Sequence, residues 1–200
     1  MNKSINSKQV KIINIIPQLV SARNVIFLIL MGICIQMAAS VILGFVLSFE
    51  PHAIDEYAEV MDNLIRYDIR TVCMVVIAAP AFEELIFRYA IMVFGEYLMP
   101  FWLANTLQAV LFGVYHGNLI QGIYAFLLGL ILGCVAHRLG GIIASLILHM
   151  SINAAGLLQS LLVPTDAGVV IRIVFVVVGL AGIVLIMRYG LRRDELRKDK

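Results

Sequence analysis

Ala81-Phe82-Glu83-Glu84-Leu85-Ile86-Phe87-Arg88-Tyr89, AFEELIFRY, interrupts one of the oiliest parts of the chain. Apolar residues dominate both flanks, at positions 72–80 and 90–94. Two adjacent carboxylates and a guanidinium in this setting have two readings. Either the stretch is a polar loop between membrane spans, or charge is placed inside a membrane for a purpose. An ionisable side chain at the bilayer centre costs on the order of 2.5–3.5 kcal/mol, so such residues face the interior of a bundle and find partners or water. On a helix Glu84 and Arg88 lie four apart on one face and can pair. Glu83 is turned about 100° away from Glu84. It cannot share that partner equally and is left as a free carboxylate.

The surrounding composition belongs to a membrane protein. Of the 200 residues, 62% are hydrophobic and 14% charged, and the mean hydropathy is +0.96. A soluble domain keeps roughly a quarter of its residues charged. The net charge of +2 makes nucleic acid an unsuitable partner. Basic residues gather at the two ends: Lys3, Lys8, Lys11 and Arg23 before the first apolar run, and Arg188, Arg192, Arg193, Arg197, Lys198 and Lys200 after the last. Cys34, Cys73 and Cys134 lie in apolar runs without a CxxC pair, and are expected to be buried, reduced packing groups.

Apolar runs and breakers predict an all-α fold, a polytopic membrane helix bundle of about six transmembrane helices. The spans fall near 25–48, 71–94, 101–117, 122–136, 142–163 and 169–187. The first is too long for a signal-peptide core and is read as a retained span. Gly95-Glu96-Tyr97-Leu98-Met99-Pro100 is expected to break the helix between the second and third. The organisation is then a basic segment 1–24, with a possible interfacial helix, a first span and acidic loop 25–69, a core 70–163, and a last span with basic tail 164–200. An even number of spans puts both basic termini on one side. The excess of Lys and Arg there makes that side the cytoplasm of a multi-pass cell-membrane protein. Ala125, Gly129 and Gly133, four apart, let another helix approach closely.

Two further apolar spans deliver polar groups. One ends in Phe112-Gly113-Val114-Tyr115-His116, and the other contains His149-Met150-Ser151-Ile152-Asn153, with His149 and Asn153 on one helix face. A carboxylate and an imidazole converging on one water can deprotonate it for hydrolysis. A second histidine and an amide can donate to a developing oxyanion. Glu83, His116 and His149 also offer a two-histidine, one-carboxylate set suited to zinc. No serine or cysteine is visibly paired with a histidine. His137, beside Arg138 at a helix end, and His52, in the acidic loop, read as interfacial and solvated groups.

The ordered trio EELIFR, FGVYH and HMSIN resembles the pattern EExxxR, FxxxH, HxxxN of the CAAX protease and bacteriocin-processing family. That family includes the type II CAAX prenyl endopeptidases and lysostaphin-resistance-protein-like membrane proteins. The match covers roughly residues 70–160. The resemblance implies an intramembrane endopeptidase in which Glu83 activates water with help from His116. His149 and Asn153 would form the oxyanion hole, Glu84 and Arg88 would position the site, and Phe112 would pack beside His116. It implies no cofactor, with zinc as the alternative. The partners it implies are membrane lipids and a peptide or protein substrate, which in some members is lipidated. Two other functions fit the same polar cluster. One is a non-enzymatic bacteriocin self-immunity or membrane scaffold protein, and the other is a proton-coupled transporter, which the lack of an inverted repeat disfavours. One geometric problem is visible. A simple hairpin places His116 on the order of 10 Å along the helix axis from Glu83 and His149. Either a kink or new helix at Pro80, or continuation of the third span through His116 into a wet turn, would remove it.

Overall fold

The computed structural model describes residues 22–47, 68–117 and 119–162, together with residues 174, 177, 181 and 184. The possible interfacial helix before residue 22, the acidic loop, the sixth span as a whole and the basic tail lie outside the described residues. The described residues are almost entirely helical, with no strand among them. The chain divides into two compact units, Met1–Val25 with Ile69–Met150, and Ile26–Asp68 with Ser151–Lys200.

The first unit is built on a helical run from residue 69 to residue 98. It contains α2 (Ile69–Cys73), wide π-type turns over Met74–Ala78, α3 (Ala79–Glu83), a second π segment over Glu84–Val93, and α4 (Phe94–Leu98). Pro80 neither ends nor restarts this run. A proline inside a helix lacks its N–H and pushes on the carbonyl four residues back. Here the preceding turns are widened: the Ala79 N–H donates to the carbonyl of Met74, five residues back. The extra residue in that turn accommodates the ring. The expected break at Gly95 also falls later. Gly95 stays helical, and a Cβ there would sit 3.0 Å from that of Ala104. The chain turns extended only at Met99 (φ −145°, ψ 163°), because the residue before Pro100 is pushed out of the helical region.

Pro100 then caps α5 (Phe101–Tyr115). His116 follows at its end, and Gly117 adopts φ +69°, the left-handed conformation that glycine supplies at helix C-termini. α6 (Leu119–Val135) packs along α5 through small residues. A Cβ on Gly113 would lie 2.6 Å from the Gly122 carbonyl oxygen, one on Gly129 would crowd Ala109, and one on Gly133 would collide with the Asn105 side chain. The predicted Ala125, Gly129, Gly133 stripe therefore faces α5. Lipid tails give little hydrophobic drive between such helices, so close van der Waals fit and buried hydrogen bonds hold them. Gln108 Nε2 donates to Asn105 Oδ1 (2.7 Å) and to the Gly129 carbonyl (2.8 Å), and Asn105 Nδ2 donates to the Leu130 carbonyl (3.1 Å). Two apolar clusters flank this amide layer: Phe87, Phe112 and Ala125 on one side, Met92, Ala104 and Ala136 on the other. A wide turn over Ala136–Gly140 leads to Gly141 (φ +69°) and to α7 (Gly141–Leu162), which continues into the second unit.

In the second unit, α1 (Ala22–Leu47) buries Leu28, Met31, Ile35 and Ala38 at helical spacing. Gln159 Nε2 donates to Ser40 Oγ (2.8 Å), and a Cβ on Gly156 would meet the Gln36 amide at 3.2 Å.

By length and composition, three described helices can cross a membrane: Asn24–Ile42, Leu119–Leu139 and Gly141–Gln159. Phe101–Tyr115 is apolar but shorter, and the run from 69 to 98, with its internal charges, is not among them. Against the expectation of three buried thiols, Cys73 is exposed and Cys34 and Cys134 are half-buried, all three free. Cys73 shares its face with the exposed Met74 and Ile77. An apolar surroundings tolerates a thiol there as a small hydrophobe.

Candidate active site

The charges in AFEELIFRY point inward. Glu83, Glu84, Phe87 and Arg88 are buried, while Phe82, Leu85 and Tyr89 between them are exposed. Glu84 is 0% and Arg88 1% exposed, and Glu83, at 9%, is the least enclosed of the three. The segment is thus helical rather than a loop, and its charges are enclosed rather than solvated. The outward side chains are apolar and large, as a lipid-facing surface requires.

Glu84 is the hub. The Ser145 hydroxyl donates to its Oε2 at 2.6 Å, His149 Nδ1 donates to its Oε1 at 2.9 Å, and Arg88 Nη1 lies 3.4 Å from the same Oε1. A carboxylate can only accept, so the proton in the His149 contact sits on Nδ1. The other ring nitrogen, Nε2, lies 3.5 Å from Glu83 Oε2. The imidazole is therefore held between two carboxylates from consecutive residues. The 100° turn between Glu83 and Glu84 is what lets them reach its two sides.

The predicted Glu84–Arg88 pair forms, but as a Coulombic contact. None of the guanidinium N–H groups makes a hydrogen bond to a protein acceptor. Arg88 instead rests on the Phe112 face, its Cζ 4.4 Å from the ring centroid. That arrangement gains from the ring quadrupole in a dry setting.

Phe112 also touches both histidines edge-on. Its centroid is 4.8 Å from that of His116 and 5.8 Å from that of His149. His116 Nδ1 donates to the Phe112 carbonyl at 2.8 Å. A carbonyl only accepts, so in neutral His116 the free nitrogen Nε2 is an acceptor. His116 lies within Coulombic range of Glu83. The anticipated axial offset of His116 is thus absorbed at the end of α5. The ring folds back over the last turn onto Phe112, where Gly117 ends the helix. Of the two remedies foreseen, no new helix starts at Pro80, and the third helix stops at Tyr115 rather than running through His116, which is its C-cap.

Asn153 follows His149 by four residues on α7, is half-buried, makes an interaction of its own, and belongs to the second unit. Glu83, Glu84, Arg88, His116 and His149 come together within the first unit. His137 stands apart. Its Nδ1 is 3.1 Å from Glu96 Oε1 and its ring stacks on Phe101 at 4.0 Å. Phe101 begins the 15-residue helix that ends beside His116, so this pair sits about 22 Å away along α5. His52 lies outside the described residues.

Sequence reasoning missed Ser145, Asn105 and Gln108. Ser145 had one visible signal: it precedes His149 by four residues and so shares its helix face. Among the described residues no group of three or more His, Cys, Asp or Glu side chains is disposed to hold a metal ion. The Glu83, His116, His149 set considered for zinc therefore does not fit one. What the cluster offers is a carboxylate with two imidazoles next to it, largely enclosed by protein and braced by a second carboxylate.

Residues 66–155 match the family model described as type II CAAX prenyl endopeptidase Rce1-like. This is the family that the motif trio resembles, and the matched segment contains all six of the singled-out residues. No curated protein matches the chain, and no solved structure does.

Proposed function

We propose, from the match of residues 66–155 to the type II CAAX prenyl endopeptidase Rce1-like model, that this protein is an intramembrane endopeptidase using Glu83-activated water. The single observation that carries the reading is the imidazole of His149 fixed between Glu83 and Glu84, all three buried in helices of the matched segment. A structural role alone would call for one carboxylate beside Arg88. It gives no reason for a second one facing a histidine.

The reaction follows from the acceptors and donors. Glu83 Oε and His116 Nε2 are both acceptors and can take the two hydrogens of one water. Glu83 removes a proton as the water oxygen attacks the peptide carbonyl carbon. In its protonated form His149 donates from both nitrogens, from Nδ1 to Glu84 and from Nε2 toward the Glu83 side, where the oxyanion develops. Asn153, one turn on, adds an amide donor. As the C–N bond breaks, Glu83 returns its proton to the leaving amine. Glu84 and Arg88 do not touch substrate and act as positioning groups. A base of this kind contributes about 10²–10⁴-fold.

The substrate class is a peptide or protein presented from the bilayer, of the prenylated CaaX kind or a bacteriocin-type precursor. The protein is a multi-pass cell-membrane protein with both basic termini in the cytoplasm. The test uses purified protein in proteoliposomes and a quenched fluorescent farnesylated peptide ending in a CaaX sequence. Cleavage by the wild type, lost by at least about 100-fold in Glu83→Gln, supports the reading. A Glu83→Gln rate equal to wild type eliminates Glu83 as the base. For a substrate in cells, membrane peptides that accumulate with Glu83→Gln and not with wild type identify it.

A further inference from the structure

Ser145 has no place in the motifs that single out the site, yet it is fully buried and makes the shortest side-chain contact to Glu84. A hydroxyl inside an apolar helix commonly donates to its own backbone, three or four residues back. Thr106 does so, to the Trp102 carbonyl at 2.8 Å, and Ser40 does so, to the Met37 carbonyl at 3.0 Å. Ser145 instead reaches another helix, to a carboxylate oxygen 61 residues away in sequence. Its oxygen also lies 3.1 Å from the Leu132 carbonyl. With a single proton to give, the shorter contact to a charged acceptor takes it.

Glu84 Oε2 is held by Ser145, and this leaves Oε1 toward His149 Nδ1 and Arg88 Nη1. Without that anchor the carboxylate plane can tilt away from His149 Nδ1 and loosen the histidine. Arg88 cannot prevent this, because it makes no hydrogen bond to the carboxylate. We propose that Ser145 is a positioning residue: its hydroxyl fixes the Glu84 carboxylate, which in turn holds the Nδ1–H of His149 and so aims its Nε2 toward Glu83. This deepens the endopeptidase reading and, for its kinetic arm, rests on it.

Ser145→Ala and the near-isosteric Ser145→Cys, a weaker donor, are compared with wild type in two measurements. The first is cleavage of the farnesylated CaaX peptide in proteoliposomes. Ser145→Ala should lower kcat by roughly ten-fold, the scale of one hydrogen bond to a charged group, with KM within about two-fold of wild type because no substrate contact is lost. Ser145→Cys should fall between the two. The second needs no substrate. It is nitrogen NMR of histidine-labelled protein in micelles, with the His149 signals identified by their loss in His149→Asn. Wild type should show a protonated, hydrogen-bonded Nδ1, and Ser145→Ala a weakened Nδ1–H hydrogen bond, read from the nitrogen shift. If the wild type cleaves nothing, the endopeptidase reading fails while the spectra still decide the role of Ser145. Unchanged His149 signals in folded Ser145→Ala, or an unchanged kcat, overturn the proposal.

Discussion

Removing the charge of Glu84 should unfold the first unit more readily than any other single change in the cluster. In Glu84→Gln the side chain keeps its shape, and Arg88, 1% exposed, is left without the partner at 3.4 Å. Breaking a buried ion pair from one side costs about 3–5 kcal/mol, since a bare charge remains in a dry place. Two features of the site pull the value toward the lower end. The pair is not hydrogen-bonded, and the Phe112 face under the guanidinium keeps up to about 2 kcal/mol of attraction. The expected loss is therefore about 3 kcal/mol. The diagnostic variant is the double change, Glu84→Gln with Arg88→Met. If the cost is an orphaned charge, removing that charge should restore at least about 1 kcal/mol relative to the sum of the single changes. The assay is reversible denaturation in mixed micelles, followed by circular dichroism for all four proteins. Additive single effects, or a Glu84→Gln loss under about 1 kcal/mol, would refute the account of Glu84 as the counter-charge of Arg88.

Other outcomes follow from the same geometry. Gly133→Ala places a methyl into the Asn105 side chain and should destabilise by about 1–3 kcal/mol; Gly44→Ala, with open space around it, should be neutral or gain up to about 1 kcal/mol, both read as thermal unfolding. His137→Ala loses the half-exposed contact to Glu96, so stability should change by no more than about 1 kcal/mol and peptide cleavage should not change. Incubation with a strong zinc chelator should leave the cleavage rate of the farnesylated peptide at its starting value, and a loss that added zinc restores would put a metal into the reaction.

The legibility of the site had a physical pattern. Glu84 and Arg88 could be paired from sequence because helix geometry alone relates residues four apart. The inward side of AFEELIFRY could be read from the cost of charge in lipid. His116 and His149 stood out because imidazoles are rare in such runs. Ser145 did not, because a serine in an apolar helix is usually satisfied by its own backbone, and only coordinates show that this one reaches a carboxylate 61 residues away. The Asn105–Gln108 layer was hidden for a similar reason: its acceptors, the carbonyls of Gly129 and Leu130, are backbone atoms that carry no signature in the sequence. The wide turns were invisible too. Pro80 announced a disturbance, but whether a helix kinks, stops or takes in an extra residue depends on what packs around it. Gly95 read as a breaker because glycine is permissive, whereas its bareness here admits Ala104. For Asn153, sequence supplies a position on α7 and little more.

The π stretch from Glu84 to Val93 works as a slack length of helix. It holds more residues per turn than an ordinary coil, so one can be deleted there and the rod still closes with normal i→i−4 bonds. Whatever lies downstream would then keep its angle, with Gly95 still against Ala104 and the Glu96 carboxylate still beside His137, whereas the same deletion in an ordinary α-helix would swing it by about 100°. The wide turns thus let this short interval absorb a change in residue count that a tighter helix would pass on to Glu96.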